Sequence, residues 1–120
     1  MSKAKYQITE KFTFEAAHYI TGDKDEYSNL HGHSHIAFVT VEGAIQTPQG
    51  WIIEQSMFRG IVDKYINKLD HGLLNNKVEF TTAEGIAKHL FWKLRTEFPK
   101  GVKLKKIEIC KTTTRATVEV

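Results

Sequence analysis

The chain predicts an α+β fold: a four-stranded antiparallel sheet with two helices on one face, in the order β-β-α-α-β-β. Three observations carry this. Two long stretches of alternating polarity open the chain. Two stretches with apolar residues at helical spacing occupy the middle. Two further alternating stretches close it, and hairpins flanking helices favour an antiparallel sheet covered on one side.

Each element has its own signal. In Tyr6 to His18, the residues Tyr6, Ile8, Phe12, Phe14, Ala16 and His18 share one parity, with Glu10 the exception. A polar loop, TGDKDEYSN, follows. The second strand runs from His31 to Gly43. Ala37, Val39 and Val41 lie on its histidine face and Ile36 and Phe38 on the other, so cover is expected on both faces. QTPQG reads as a turn. Phe58, Ile61, Val62, Tyr65, Ile66 and Leu69 then mark the first helix, which DHGLLNN breaks. Thr81-Thr82-Ala83-Glu84 resembles a capping box, and Ile86, Leu90, Leu94 and Phe98 mark the second helix, ended by FPKG. Val102 to Lys111 and Thr113 to Val120 read as the last two strands.

Bulk properties narrow the function. The 120 residues suit a single domain, expected to span 1–120. Apolar residues make up 41% and charged residues 26%, ordinary globular values. No apolar run approaches the roughly 20 residues of a membrane helix. The polar start MSKAKYQITEKF lacks the apolar stretch of a signal peptide, and one cysteine, Cys110, excludes an internal disulfide framework. The expectation is a cytoplasmic protein with no membrane partner. The net charge of +3 raises the question of nucleic acid. The lysines are dispersed, however, and the one dense run, KGVKLKK, alternates with apolar residues as a solvated strand does, so no nucleic-acid partner is expected.

The segment NLHGHSH sets His31, His33 and His35 at every second position. Residues two apart on a strand point the same way, about 7 Å apart for a rise of ~3.3 Å. His31 and His33 therefore project together and suit one cation. Gly32 between them leaves room for another segment. His18 ends the first strand, and a hairpin turns it toward the pair. Three imidazoles with a fourth position free are the pattern of catalytic zinc. HxH alone also occurs as two separate surface residues. His35 has the right parity but lies one step further on.

FTFEAAH, LHGHSH, GWIIE, LDHGLLN and TTAEGIAKHL occur in that order, and together they resemble the 6-pyruvoyl-tetrahydropterin synthase and 6-carboxy-tetrahydropterin synthase family over nearly the whole chain. The resemblance implies a tunnelling fold, ββααββ, closed as an oligomeric barrel. It implies trimers stacked into homo-hexamers, with sites at subunit interfaces. It implies Zn2+ held by His18, His31 and His33, and a zinc-dependent lyase acting on a pterin-like substrate of the dihydroneopterin type, in pterin or deazapurine (queuosine) biosynthesis. Asp70 and His71 match the family's proton-relay pair, the carboxylate orienting the imidazole.

Three positions depart from the pattern. Tyr27 stands where a branch of the family has its cysteine base, four residues before the first histidine of HGH. Glu26 is one residue away and is the alternative base, since another branch uses glutamate. Cys110 reads as a small buried strand residue. Lys111 stands where the family's glutamate grips the pterin edge. A lysine only donates, and so suits an anionic or carbonyl-bearing group. Glu108, three residues earlier, faces the opposite side of a regular strand. Glu54 replaces an aspartate after WII and is expected to neutralise Lys111. Two other readings remain: a divergent paralogue with a different small substrate, and a non-catalytic zinc-binding scaffold.

Overall fold

The structure is a computed structural model that describes residues 4–22 and 25–120, with the backbone alone for residues 25 and 26. In order, the elements are β1 (Tyr6–His18), α1 (Asp25–Ser28), β2 (His31–Gly43), α2 (Gln55–Leu69), β3 (Gly72–Leu73), α3 (Ala83–Leu94), β4 (Lys103–Lys111) and β5 (Thr114–Glu119), with a 3-10 turn at Leu74–Asn76. Both long N-terminal strands have the ends that alternation predicts.

The sheet has five strands, not four, in the order β3-β1-β2-β4-β5. The additional strand is the two-residue β3, which pairs parallel with β1 through Ala16–Gly72 and Ala17–Leu73. It is too short to leave a period in the sequence. The other pairings are antiparallel.

One face of the sheet carries the core. Phe12, Phe14 and Ala16 of β1, Ala37, Val39 and Val41 of β2, and Leu104, Ile107 and Ile109 of β4 are buried. Phe58, Val62, Ile66 and Leu69 of α2 and Ile86, Leu90 and Leu94 of α3 pack onto them. Leu104 and Ile107 differ in parity yet both face inward. Thr40 pairs with Lys106 and Val41 with Leu104, so Lys105 is bulged out between them and the strand re-phases. Glu10, the exception in β1, is explained by Arg59 of α2. The guanidinium lies 2.9 Å from the Glu10 carboxylate and 4.3 Å from the Phe12 ring centroid, so the acid is paired where it enters the apolar face.

The other face differs from expectation. Ile36 and Phe38 are only half-buried, so within one chain β2 is fully covered on the core side alone. Helix α3 is capped by Thr82, whose side chain accepts the Gly85 N–H at 3.1 Å. The cap is therefore one residue later than the box read from the sequence, and Thr81 is left for another task. Gly85 is required, because a Cβ there would lie 2.1 Å from the Phe80 carbonyl oxygen.

Candidate metal centre

The register of the β1–β2 hairpin assembles the site. His18 is the direct cross-strand partner of His31, and Ala16 is the partner of His33. All three imidazoles are on the core face at the end of the sheet. The ring centroids are 4.5 Å apart for His18–His31, 4.7 Å for His31–His33 and 5.1 Å for His18–His33. One nitrogen from each ring lies within 4.8 Å of the others. The small Ala16 side chain opposite His33 leaves space for this convergence.

The hydrogen bonds orient the rings for a cation. His18 Nδ1 is 2.9 Å from the Thr81 carbonyl oxygen and 3.1 Å from Thr81 Oγ1. A carbonyl only accepts, so Nδ1 carries the proton and Nε2 keeps its lone pair. His31 Nδ1 does the same toward the Asn29 carbonyl at 2.7 Å. His18 Nε2 is buried without a partner. An orphaned buried acceptor is costly, and a cation would satisfy it. Backbone carbonyls that fix the tautomer of ligating histidines are the usual outer support of a metal site. Burial, then Lys111, then the neighbouring rings push His18 down to about 4, and burial followed by Lys111 also lowers His33. Neutral rings are the ligating form. The donor set fits a divalent metal.

Distant parts of the chain hold the site in place. Asn75 accepts the Tyr19 N–H at 3.0 Å and donates to the Tyr19 carbonyl at 2.9 Å, pinning the chain just after His18. Neither Asn75 nor Thr81 was identified from sequence. The doubled threonine before α3 is the only trace, since just one of the pair is needed for the cap.

His35 does not join the three converging rings. Its ring is fully buried, stacks on Phe14 at 4.7 Å, and meets His33 at 5.9 Å. Neither of its nitrogens is bonded, and burial pushes it to about 4. Gly32 departs from expectation too. A Cβ there would make only an ordinary 3.7 Å contact with the Ala16 carbonyl, so no close approach demands glycine.

Asp70 and His71 lie where α2 hands over to β3. Asp70 Oδ2 is 2.9 Å from His71 Nδ1, and Asp70 Oδ1 accepts the Glu15 N–H at 2.8 Å. That backbone N–H is the main reason the Asp70 carboxyl sits below its usual range. His71 has φ 56, a left-handed conformation unusual for a residue with a side chain. Its N–H donates to the Glu15 carbonyl, which locks the turn against β1. A hollow of about 520 Å³ is lined by residues that include both His33 and His71, with Glu15, Gly32 and Ser34.

The remaining expected residues are scattered. Tyr27 is exposed in α1. Glu26 is in the same turn, with its side chain outside the described residues. Lys111 is the cross-strand partner of His35, on the histidine side of the sheet. Glu54 does not neutralise Lys111: its carboxylate caps α2, accepting from Ser56 and Met57 N–H groups. Glu108 faces away, toward Arg115 at 3.6 Å and Thr117 at 3.4 Å. Cys110 shares that outer parity opposite Arg115 and is half-buried, not part of the core.

A sequence profile described as 6-pyruvoyl tetrahydropterin synthase matches residues 7–120. The chain belongs to that family. It is 32% identical over 105 residues to a dihydroneopterin monophosphate aldolase of Pyrococcus furiosus, covering 88% of this chain and 89% of that one. It is 32% identical over 116 residues to the 6-carboxy-5,6,7,8-tetrahydropterin synthase of Synechocystis, covering 91% and 88%. Its fold superposes on the 6-pyruvoyl tetrahydropterin synthase of Caenorhabditis elegans with a TM-score of 0.85, at 21% identity over 100% of this chain and 99% of that one. The architecture is thus the family's tunnelling fold. No helix among the described residues is long and apolar enough to cross a membrane.

Proposed function

We propose that this chain is a zinc-dependent lyase that cleaves the side chain of a dihydroneopterin-type substrate, within pterin or deazapurine biosynthesis in the cytoplasm. The observation that carries this reading is the set of three converging imidazoles, with His18 and His31 each tied by Nδ1 to a backbone carbonyl. Three protein ligands that leave the fourth position of a tetrahedral ion free are characteristic of catalytic zinc. The similarity to an aldolase supports scission of a carbon–carbon bond in the substrate side chain.

The residues divide the work. His18, His31 and His33 are the ligands. When bound, the metal supplies Lewis acidity that makes a coordinated hydroxyl easier to deprotonate. Asp70, held by the Glu15 N–H, keeps the His71 Nδ1 proton in place and leaves Nε2 to take or return a proton. The hollow shared by His33 and His71 is within the size range of small-molecule sites. Tyr27 and Glu26 supply the base from the loop that contains α1, in place of the cysteine found in a branch of the family. The active unit is a homo-hexamer built as two trimers. Two features support this: the half-buried Ile36 and Phe38 on the sheet's second face, and β5, an edge strand with one side unpaired.

The test is direct. Zinc-loaded protein is incubated with dihydroneopterin, its monophosphate and its triphosphate, and the pterin products are read by mass spectrometry. Loss of side-chain carbons from one of them is expected. Three unchanged substrates at full zinc occupancy would contradict the reading.

A further inference from the structure

Lys111 is the one cation that faces the histidine cluster among the described residues. It pairs with His35 across β2 and β4, and the bulge at Lys105 lies upstream, so the strand is regular from Ile107 onward. Lys111 therefore shares the inward parity of Ile107 and Ile109. Its charge acts on His18, His33 and His35 alike, second only to burial in each case.

Lys111 is half-buried, and among the described residues its ammonium makes no hydrogen bond and no ion pair. Glu84, at the start of α3, is the acid that acts on it, yet it lies beyond ion-pair distance. Glu15, the acid that acts on His35, accepts from the Ser34 hydroxyl at 2.6 Å, and Glu108 on the other face serves Arg115. A partly desolvated cation with three unused donors is unfavourable until an acceptor arrives. A divalent metal on three neutral imidazoles adds two more positive charges beside it, with no carboxylate in the cluster to balance them.

We propose that Lys111 holds the anionic group, a phosphate or a carboxylate, of the molecule bound at the histidine site. This rests on the reading of the three histidines as a metal centre, and it adds the residue that meets the charge of the bound molecule. Lys111 is then the residue that sets specificity, since an uncharged analogue would leave its donors unmatched.

The test uses the full chain loaded with cobalt(II), whose visible spectrum reports ligands near the metal without any turnover. Inorganic phosphate and acetate are titrated in separate arms into native protein, Lys111→Gln and Lys111→Arg. The expected result is one cobalt per chain in all three, and saturable binding of at least one anion by native protein. That binding should be at least tenfold weaker in Lys111→Gln and within about threefold of native in Lys111→Arg. A response to phosphate alone assigns a phosphoryl group, and a response to acetate alone assigns a carboxylate. Equal affinity in native and Lys111→Gln protein, or no binding by native protein, overturns the role of Lys111 and leaves the metal centre standing. Failure of native protein to take up cobalt overturns the metal centre, and this inference with it.

Discussion

Asp70 divides its carboxylate between two partners, taking the Glu15 N–H on Oδ1 and lying 2.9 Å from His71 Nδ1 on Oδ2. Asp70→Asn keeps the first bond but turns an amide donor toward His71. The imidazole must then expose its other tautomer. Turnover is expected to fall by at least about tenfold with KM nearly unchanged, because the loss lies in proton transfer. The thermal midpoint should barely move, since His71 is largely exposed and the variant keeps an acceptor for the Glu15 N–H. Steady-state kinetics on native and variant enzyme check this, and an unchanged turnover number contradicts it.

In the metal-free protein, acid should act through buried imidazoles. A free histidine titrates near 6.5, whereas His18 and His35 are held to about 4. The unfolded chain therefore binds more protons below about 6.5, and linkage requires stability to fall from there toward pH 4. At about 1.4 kcal/mol per unit, each ring removes on the order of 2 kcal/mol by about pH 5. Urea midpoints of native and His35→Phe protein at about pH 7 and pH 5 test the point. The variant should lose less stability on acidification, by on the order of 2 kcal/mol, and equal losses would reject the account.

Phe14 is 1% exposed and stacks on His35 at 4.7 Å. Phe14→Ala leaves a cavity beside an imidazole that has no hydrogen bond. The expected cost is about 3–5 kcal/mol in urea unfolding. A loss below about 1 kcal/mol would show that the helices close over the gap.

Phe38 lies half-buried on the second face of the central strand. In the proposed hexamer this face is covered by neighbours. Native protein should scatter light as six chains at micromolar concentration, and Phe38→Glu should lower that mass. A native monomer would contradict the assembly.

The convergence of the three histidines was legible because strand geometry is local. A period of two places His31 beside His33, and hairpin register alone brings in His18. The supports of those rings were not legible. Thr81 lies 63 residues from His18 and Glu15 lies 55 from Asp70, and no periodicity links such positions. The fifth strand is two residues long, below the length at which alternation has meaning. Glu54 departs from expectation because a carboxylate before a helix has a nearer use: the free N–H groups of the first turn, which need no distant lysine.

Zinc content tests the central claim most directly. Native protein purified without chelator, and the His31→Ala, His33→Ala double variant, would be assayed for bound metal by mass spectrometry of the elements. The account predicts about one zinc per native chain and almost none in the variant, with both proteins folded by circular dichroism. Equal zinc in the two would contradict it.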